Sequence, residues 1–507
     1  MNEVGIGALG SLLPEIILLV GGLLILILDT ALTKEEDSGS GFMAIAVIFL
    51  AAALIGSVLQ LNMDPHTAVY MIEVDPFSSF FKISILIGML LVAIAGGGYM
   101  NRHATGRGEF WTLFMFVTLA MSLAVAANNL LMIFLAIEIL SITSYILVGF
   151  LRDNSRSAEA GVKYFLYGSV ASAIMLYGMS LLYGASGSLN IFEIGRAFAQ
   201  PGEAAGQLAI PAITLLLVGL GFKASLAPFF QWAPDTYDGA PIPITAYLST
   251  ASKAVGFAVM ARILLIALGS FDFNWVPLLG GLSILTMSVG NLMALRQESV
   301  KRMLAYSSVA QAGYILMGLV AVVSSSQADV NSLSNNGLNA VLIYLFAYLF
   351  TNIGAFLVVM AVEERTGNSK LSSFNGLAQK SPALAWSMFI FMLSLTGIPA
   401  TGGFMGKFYV FGATIQHQYF WLAAAGMINA GIAAFYYLNV VRAMFFTASD
   451  QVDEETAPAG QTSFAIAIPI QIIVMVCVVA TIWIGLYPPP VIELANDASR
   501  YLLTLVF

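Results

Sequence analysis

The chain is a succession of apolar runs, each long enough to cross a lipid bilayer, and this constrains its fold more than any other feature. A spanning helix needs about 20 consecutive, mostly apolar residues. Such runs fall at roughly 12–30, 41–60, 77–99, 109–127, 129–150, 160–184, 210–230, 241–267, 275–295, 303–323, 337–362, 382–412, 420–446 and 463–487. Connections are short. The longest polar segments, 185–209 and 324–336, read as loops. The expectation is an all-α polytopic membrane protein of about fourteen spans, forming a single membrane domain over 1–507.

Composition agrees. Of 507 residues, 59% are hydrophobic and 9% charged, whereas a soluble domain has roughly a quarter charged. The net charge of −8 rests on few groups, most of them placed in loops. No basic run or patch suggests a nucleic-acid partner. The single cysteine, Cys477, lies in an apolar stretch, which excludes intrachain disulfides, cysteine-ligated clusters and a zinc knuckle made by this chain alone. His66, His103 and His417 fall in or near loops and suggest neither haem nor copper. The run from Leu12 to Leu28 lacks a positive leader and is followed by the acidic stretch Glu35–Asp37, so it reads as a retained span.

Lysine and arginine set the expected orientation. Segments after odd-numbered spans carry Lys34; Arg102 and Arg107; Arg152 and Arg156; Arg296, Lys301 and Arg302; Arg365, Lys370 and Lys380; and Arg442. Segments after even-numbered spans offer little beyond Arg196, with Arg500 near the C-terminus. This bias puts the odd segments in the cytoplasm and both termini outside.

Two spans are broken. The seventh places Lys223 five residues before Pro228, and the twelfth places Lys407 eight residues after Pro399. Proline frees a backbone carbonyl, which a membrane interior tolerates only beside protein or water. The breaks lie five spans apart. They fit two five-helix repeats, spans 4–8 (109–268) and 9–13 (275–446), the second inverted because five is odd. Spans 1–3 (1–108) precede them and span 14 (463–507) follows. Inverted repeats with broken helices mark transporters.

Five charges fall inside or close to apolar runs: Glu138, Lys163, Lys223, Lys253 and Lys407. Each opposes insertion by about 2.5–3.5 kcal/mol, and together they oppose it by roughly 10–17 kcal/mol before pairing or hydration. Lysine is the informative choice, since a buried amine can release and regain a proton where a guanidinium cannot. A neighbouring carboxylate such as Glu138 would hold one of these lysines charged. Lys163 lies close to the Arg152–Arg156 loop and can reach water. Ser141, Thr143, Ser144 and Ser252 are read as bonding backbone carbonyls. Tyr344, Tyr348 and Asn352 suit a wet path or plain packing. Asp235 and Asp238 are read as a solvated turn.

Two stretches carry a resemblance. Gly221–Ile244 (GFKASLAPFFQWAPDTYDGAPIPI) and Leu295–Tyr314 (LRQESVKRMLAYSSVAQAGY) resemble the antiporter-like membrane subunits of respiratory complex I, the NADH–quinone oxidoreductase. The likeness covers essentially the whole chain. Trp232–Pro241 without histidine, Lys407 within Gly403–Phe408, and no long lateral helix after span 14 set it in the N branch rather than with M or L. The resemblance implies roles in proton transfer. Glu138 corresponds to the span-5 glutamate, Lys223 to its span-7 partner, Lys253 to the lysine linking two half-channels, Lys407 to the span-12 residue facing the other side, and Lys163 to a lysine near the cytoplasmic opening.

The resemblance further implies redox-driven proton pumping in a bacterial cytoplasmic membrane, with related antiporter-like and small membrane subunits as partners. Flavin, iron–sulfur clusters and quinone would belong to partner subunits and none to this chain, which has no dinucleotide fingerprint. Two other readings stay open at this point. One is a D-type subunit of a multisubunit sodium/proton antiporter, and the other is a passive scaffold whose charges only hold helices together.

Overall fold

The computed structural model describes residues 10–31, 39–199, 203–271, 273–323, 335–448 and 467–505. Thirteen helices in it are long and apolar enough to cross a membrane. Spans 1–6 are Leu13–Ala31, Gly39–Gln60, Pro76–His103, Arg107–Ala126, Leu130–Val148 and Ser155–Ser186. Span 7 is Glu203–Ala224, and span 8 runs through Ile242–Ser249 and Ala251–Arg262 into a π-turn, Ile263–Ala267. Spans 9–11 are Trp275–Ala294, Val300–Val323 and Leu338–Thr366; spans 13 and 14 are Phe420–Phe446 and Ile468–Leu486. The twelfth crossing is made of two half-helices, Pro382–Thr396 and Gly402–Gln416. The fourteen expected crossings are all present. Lys34, Glu35, Asp37 and most of the 324–336 loop lie outside the described residues.

Both breaks are built by backbone that leaves the helical region. Span 7 stops at Ala224, where Ser225 adopts φ +58°, and the chain resumes as the short helix Trp232–Gly239. Span 12 stops at Gly397, φ +95°, and turns again at Ala400, φ +69°. Glycine suits the first of these because a left-handed residue carries a steric penalty when it bears a Cβ.

Burial divides the spans into two kinds. Spans 8, 10 and 11 are 100%, 94% and 100% buried over their most apolar windows. Spans 1, 2, 6, 9, 13 and 14 present exposed leucine, isoleucine, valine and phenylalanine along one side, as helices bordered by lipid do. A helix enclosed by protein can hold polar side chains that lipid would reject. The central spans therefore have room for polar side chains.

Two segments depart from expectation. The 185–209 region is not merely a loop: Asn190 accepts from the Phe192 amide and starts a nine-residue helix, Ile191–Ala199. Ile191, Ile194 and Phe198 are buried on one face, a 3.6-residue stripe too short to register as a span. Span 14 is followed by a further helix, Pro489–Thr504, which packs on spans 3 and 11. Its buried face is Val491, Ala495, Ala498 and Leu502; its opposite side is too polar for a search for apolar runs to catch.

Candidate functional site

The candidate residues fall into a surface cleft and a buried row. The cleft, of about 350 Å³, is lined by Arg156, Glu159, Lys163, Asp235, Asp238 and Arg302. Lys163 is 40% exposed; its Nζ lies 2.8 Å from Glu159 Oε1 and 2.9 Å from Asp235 Oδ2. Arg302 Nη2 sits 2.7 Å from the other oxygen, Asp235 Oδ1. Asp235 and Asp238 thus belong to the helix Trp232–Gly239 rather than to a free turn. Asp235 joins the sixth span to the tenth. The ring stack of Trp232 on Tyr164, centroids 4.3 Å apart, helps to fix that short helix beneath Lys163.

The row begins where span 7 breaks. Lys223 is buried, and its Nζ donates to Ser141 Oγ at 3.2 Å. Ser141 follows Glu138 by one turn on span 5, so the two share a face. Glu138 lies within electrostatic reach of Lys223 without contacting it. One of its carboxylate oxygens is buried without a partner, while Leu135, Ile139 and Ile142 around it are exposed. The neighbouring carboxylate thus acts on Lys223 through space rather than through a direct ion pair.

Lys253 and Lys407 likewise hold neutral acceptors. Lys253 Nζ lies 2.6 Å from both the carbonyl and the hydroxyl of Ser308. Lys407 Nζ donates at 2.8 Å to the carbonyls of Leu395 and Thr396, and stands 4.8 Å above the Tyr314 ring. Those carbonyls belong to the last turn before the span-12 break, where the helix leaves acceptors without intrahelical donors. The break thus supplies the acceptors that hold the lysine. Among the described residues, no carboxylate lies within ion-pair distance of Lys223, Lys253 or Lys407.

A polar line joins the last two lysines. Gln311 Nε2 donates at 3.1 Å to the same Leu395 carbonyl and to Tyr437 Oη. Tyr437 bonds Ser307, next to Ser308, and Tyr344 donates to Gln311 Oε1. Asn352 donates to Ser249 on span 8 at 2.7 Å. Ser144 bonds the Leu140 carbonyl as expected, and it also accepts from Tyr247. Sequence reasoning missed Asp235, Arg302, Ser308, Gln311 and Tyr437. Ser308 and Gln311 carried a usable signal, being polar at i and i+3 in an apolar helix. Arg302–Asp235 carried none, because its partners lie far apart in the chain.

Two buried ion pairs were also missed: Glu15 with Lys82, 2.8 Å apart, and Arg262 with Asp75, 2.7 Å apart. They correct the expectation that charges outside the five candidates sit in loops. No group of three or more His, Cys, Asp or Glu able to hold a metal occurs among the described residues.

Residues 127–433 match the family described as NADH:quinone oxidoreductase/Mrp antiporter, TM. The chain is 36% identical over 494 residues to NADH-quinone oxidoreductase subunit N of Trichlorobacter lovleyi, covering 97% of each. It is 37% identical over 512 residues to F420H2 dehydrogenase subunit N of Methanosarcina mazei, covering 97% of this chain and 98% of the other. It superposes on a chain of respiratory complex I from Thermus thermophilus with a TM-score of 0.78 at 30% identity, over 95% and 99% of the two chains.

Proposed function

Because the chain belongs to the antiporter-like membrane subunits of NADH–quinone oxidoreductase, in their N branch, we propose that Glu138, Lys163, Lys223, Lys253 and Lys407 carry its protons. The chain is a proton-translocating subunit whose electron chemistry takes place in other subunits. The observation that carries the residue assignment is the buried row in which three lysines contact neutral acceptors. A lysine held by hydroxyls and carbonyls can lose its proton without leaving a buried countercharge in contact with it. Protons reach Lys223 from the Lys163–Asp235 cleft, pass Lys253 at the centre, and leave past Lys407.

In this reading 109–268 and 275–446 act as two half-channels, 1–108 and the C-terminal helices support them, and the whole is one membrane domain. Flavin, iron–sulfur clusters and quinone belong to partner subunits, alongside further antiporter-like and small membrane subunits. The membrane is the bacterial cytoplasmic membrane. A sodium/proton antiporter assembly is the competing reading, and the shared family description keeps it in view. Native purification separates them. Flavin and iron–sulfur absorbance should travel with this chain in stoichiometric amount, and a pure assembly without either chromophore would favour the antiporter.

The Lys/Arg bias supports both termini lying outside. A cysteine placed at Ser155, the first residue of span 6, should then react with a membrane-impermeant thiol reagent only from the cytoplasmic side. Labelling from outside in intact cells would reverse the orientation.

A further inference from the structure

We propose that Glu15 and Lys82 form a second proton-binding site, apart from the lysine row and open to the aqueous side on which the antiparallel hairpin of His66–Ala68 and Ile72–Val74 lies between spans 2 and 3. The two side chains are buried, 5% and 0% exposed, with Lys82 Nζ 2.8 Å from Glu15 Oε1. Ser122 Oγ donates to the same oxygen at 2.7 Å. The other oxygen, Glu15 Oε2, is buried and has no partner. A pair serving only as a clamp would satisfy both oxygens, because an unmet charged acceptor is costly in a dry interior. A proton fits at Oε2. It would leave Glu15 a neutral acid and Lys82 an ammonium held by Gln60 Oε1, 3.2 Å away.

The polar surroundings lead outward at one end. Gln60 Nε2 donates to the Ser11 carbonyl at 2.7 Å, and Ser11 Oγ lies 2.7 Å from Nε2 of the exposed His66. His66 Nδ1 meets the Asp64 carbonyl at 2.8 Å. Glu15 is in the first turn of span 1, Gln60 is the last residue of span 2 and Lys82 is in the second turn of span 3, so all three sit at one end of the bundle. Towards the other end the same helices meet through Leu18, Ile25, Leu50, Ala53, Leu86 and Met89, all buried and apolar. Protons thus exchange with one face alone.

The other charges on the packed elements are occupied or distant. Glu73 accepts from Thr67 and Asn128. Asp75 holds Arg262 of span 8, and Tyr501 of the C-terminal helix lies towards Asp75. Asp29, Arg102, His103, Arg107 and Glu109 lie at the opposite ends of spans 1, 3 and 4. Span 2 contributes no charge among its described residues. Ser122 stands on span 4, the first helix of the first repeat. Protonation of Glu15 turns its bond from Ser122 into a weaker neutral one, so the repeat experiences the proton concentration of that face.

The site shares the orientation proposed above but does not depend on the lysine row. The test uses the assembled complex in proteoliposomes with the two aqueous faces buffered separately, read by infrared difference spectroscopy of the protonated-carboxyl stretch. Acidifying the His66 face alone should raise a band that a Glu15→Gln complex lacks. Gln60→Leu, which breaks the polar path from Ser11 to Lys82, should measurably slow its appearance. A Glu15-dependent band that follows the opposite face, or an assembled Glu15→Gln complex with an unchanged spectrum, would overturn the proposal. Should Glu15→Gln not assemble, Glu15→Gln with Lys82→Met removes both buried charges together, a change that cores tolerate. The Gln60→Leu kinetics need neither variant, and no slowing there also counts against the site. A failed lysine row would show elsewhere, as normal pumping by Lys223→Ala, and cysteine labelling at Ser155 checks orientation independently.

Discussion

Lys223→Ala and Glu138→Ala should each slow coupled proton transfer on the order of a hundredfold, the scale of one acid–base group, while Lys163→Ala leaves most of the rate. Lys223 is buried with Ser141 as its hydroxyl partner, and Glu138 reaches it only through space. Removing the lysine takes away the proton carrier. Removing the glutamate takes away the negative charge that favours a proton on Lys223. Lys163 differs because it is 40% exposed and shares Asp235 with Arg302, so water and a neighbouring cation stand in for it. Quinone-reductase rate and proton uptake in membranes holding the assembled variants measure the effect. Normal rate and stoichiometry in both Lys223→Ala and Glu138→Ala would leave these charges a structural role.

Gly397→Val should abolish transfer through the second repeat in complexes that still assemble. Gly397 has φ +95°, and a Cβ there would come 2.7 Å from Lys407 Cδ and 3.5 Å from its Nζ. The left-handed backbone costs about 1–3 kcal/mol for a side chain that must adopt it. The larger effect is displacement of the ammonium from the Leu395 and Thr396 carbonyls. Assembly judged by native electrophoresis separates misfolding from lost transfer. An assembled variant that pumps normally would show that Lys407 does not need those carbonyls.

Much of this was legible in the sequence because bilayer physics writes in long runs. Twenty apolar residues cannot hide, and neither can a lysine in the middle of them, so the fourteen crossings, both breaks, Lys223, Lys253 and Lys407 could all be read. What stayed hidden depends on partners or on short periods. Glu15 sits one residue after Pro14 at the edge of an apolar run, where it passes for a boundary residue; its partner Lys82 lies two helices later. Arg262 and Asp75 are separated by 187 positions. The helix Pro489–Thr504 escaped because its apolar face is half its surface. Glu138 was found, but its separation from Lys223 was not: type and depth are readable one residue at a time, whereas an interatomic distance is not.

The enclosure of span 8 also bears on how the chain is made. Lys253 and Arg262 leave the ribosome on the same helix, and each opposes insertion by about 2.5–3.5 kcal/mol. Arg262 finds its carboxylate, Asp75, already in the membrane. Lys253 must wait for Ser308, 55 positions later and two spans on. Span 8 is wholly surrounded in the finished protein, yet span 11, which packs along it, and span 10, which supplies Ser308, are synthesised after it. During that interval its unmet lysine favours retention near the insertion machinery over release into lipid. Biosynthesis of the second half thus completes the first, and a chain cut after span 8 would strand a charge that the full-length protein shelters.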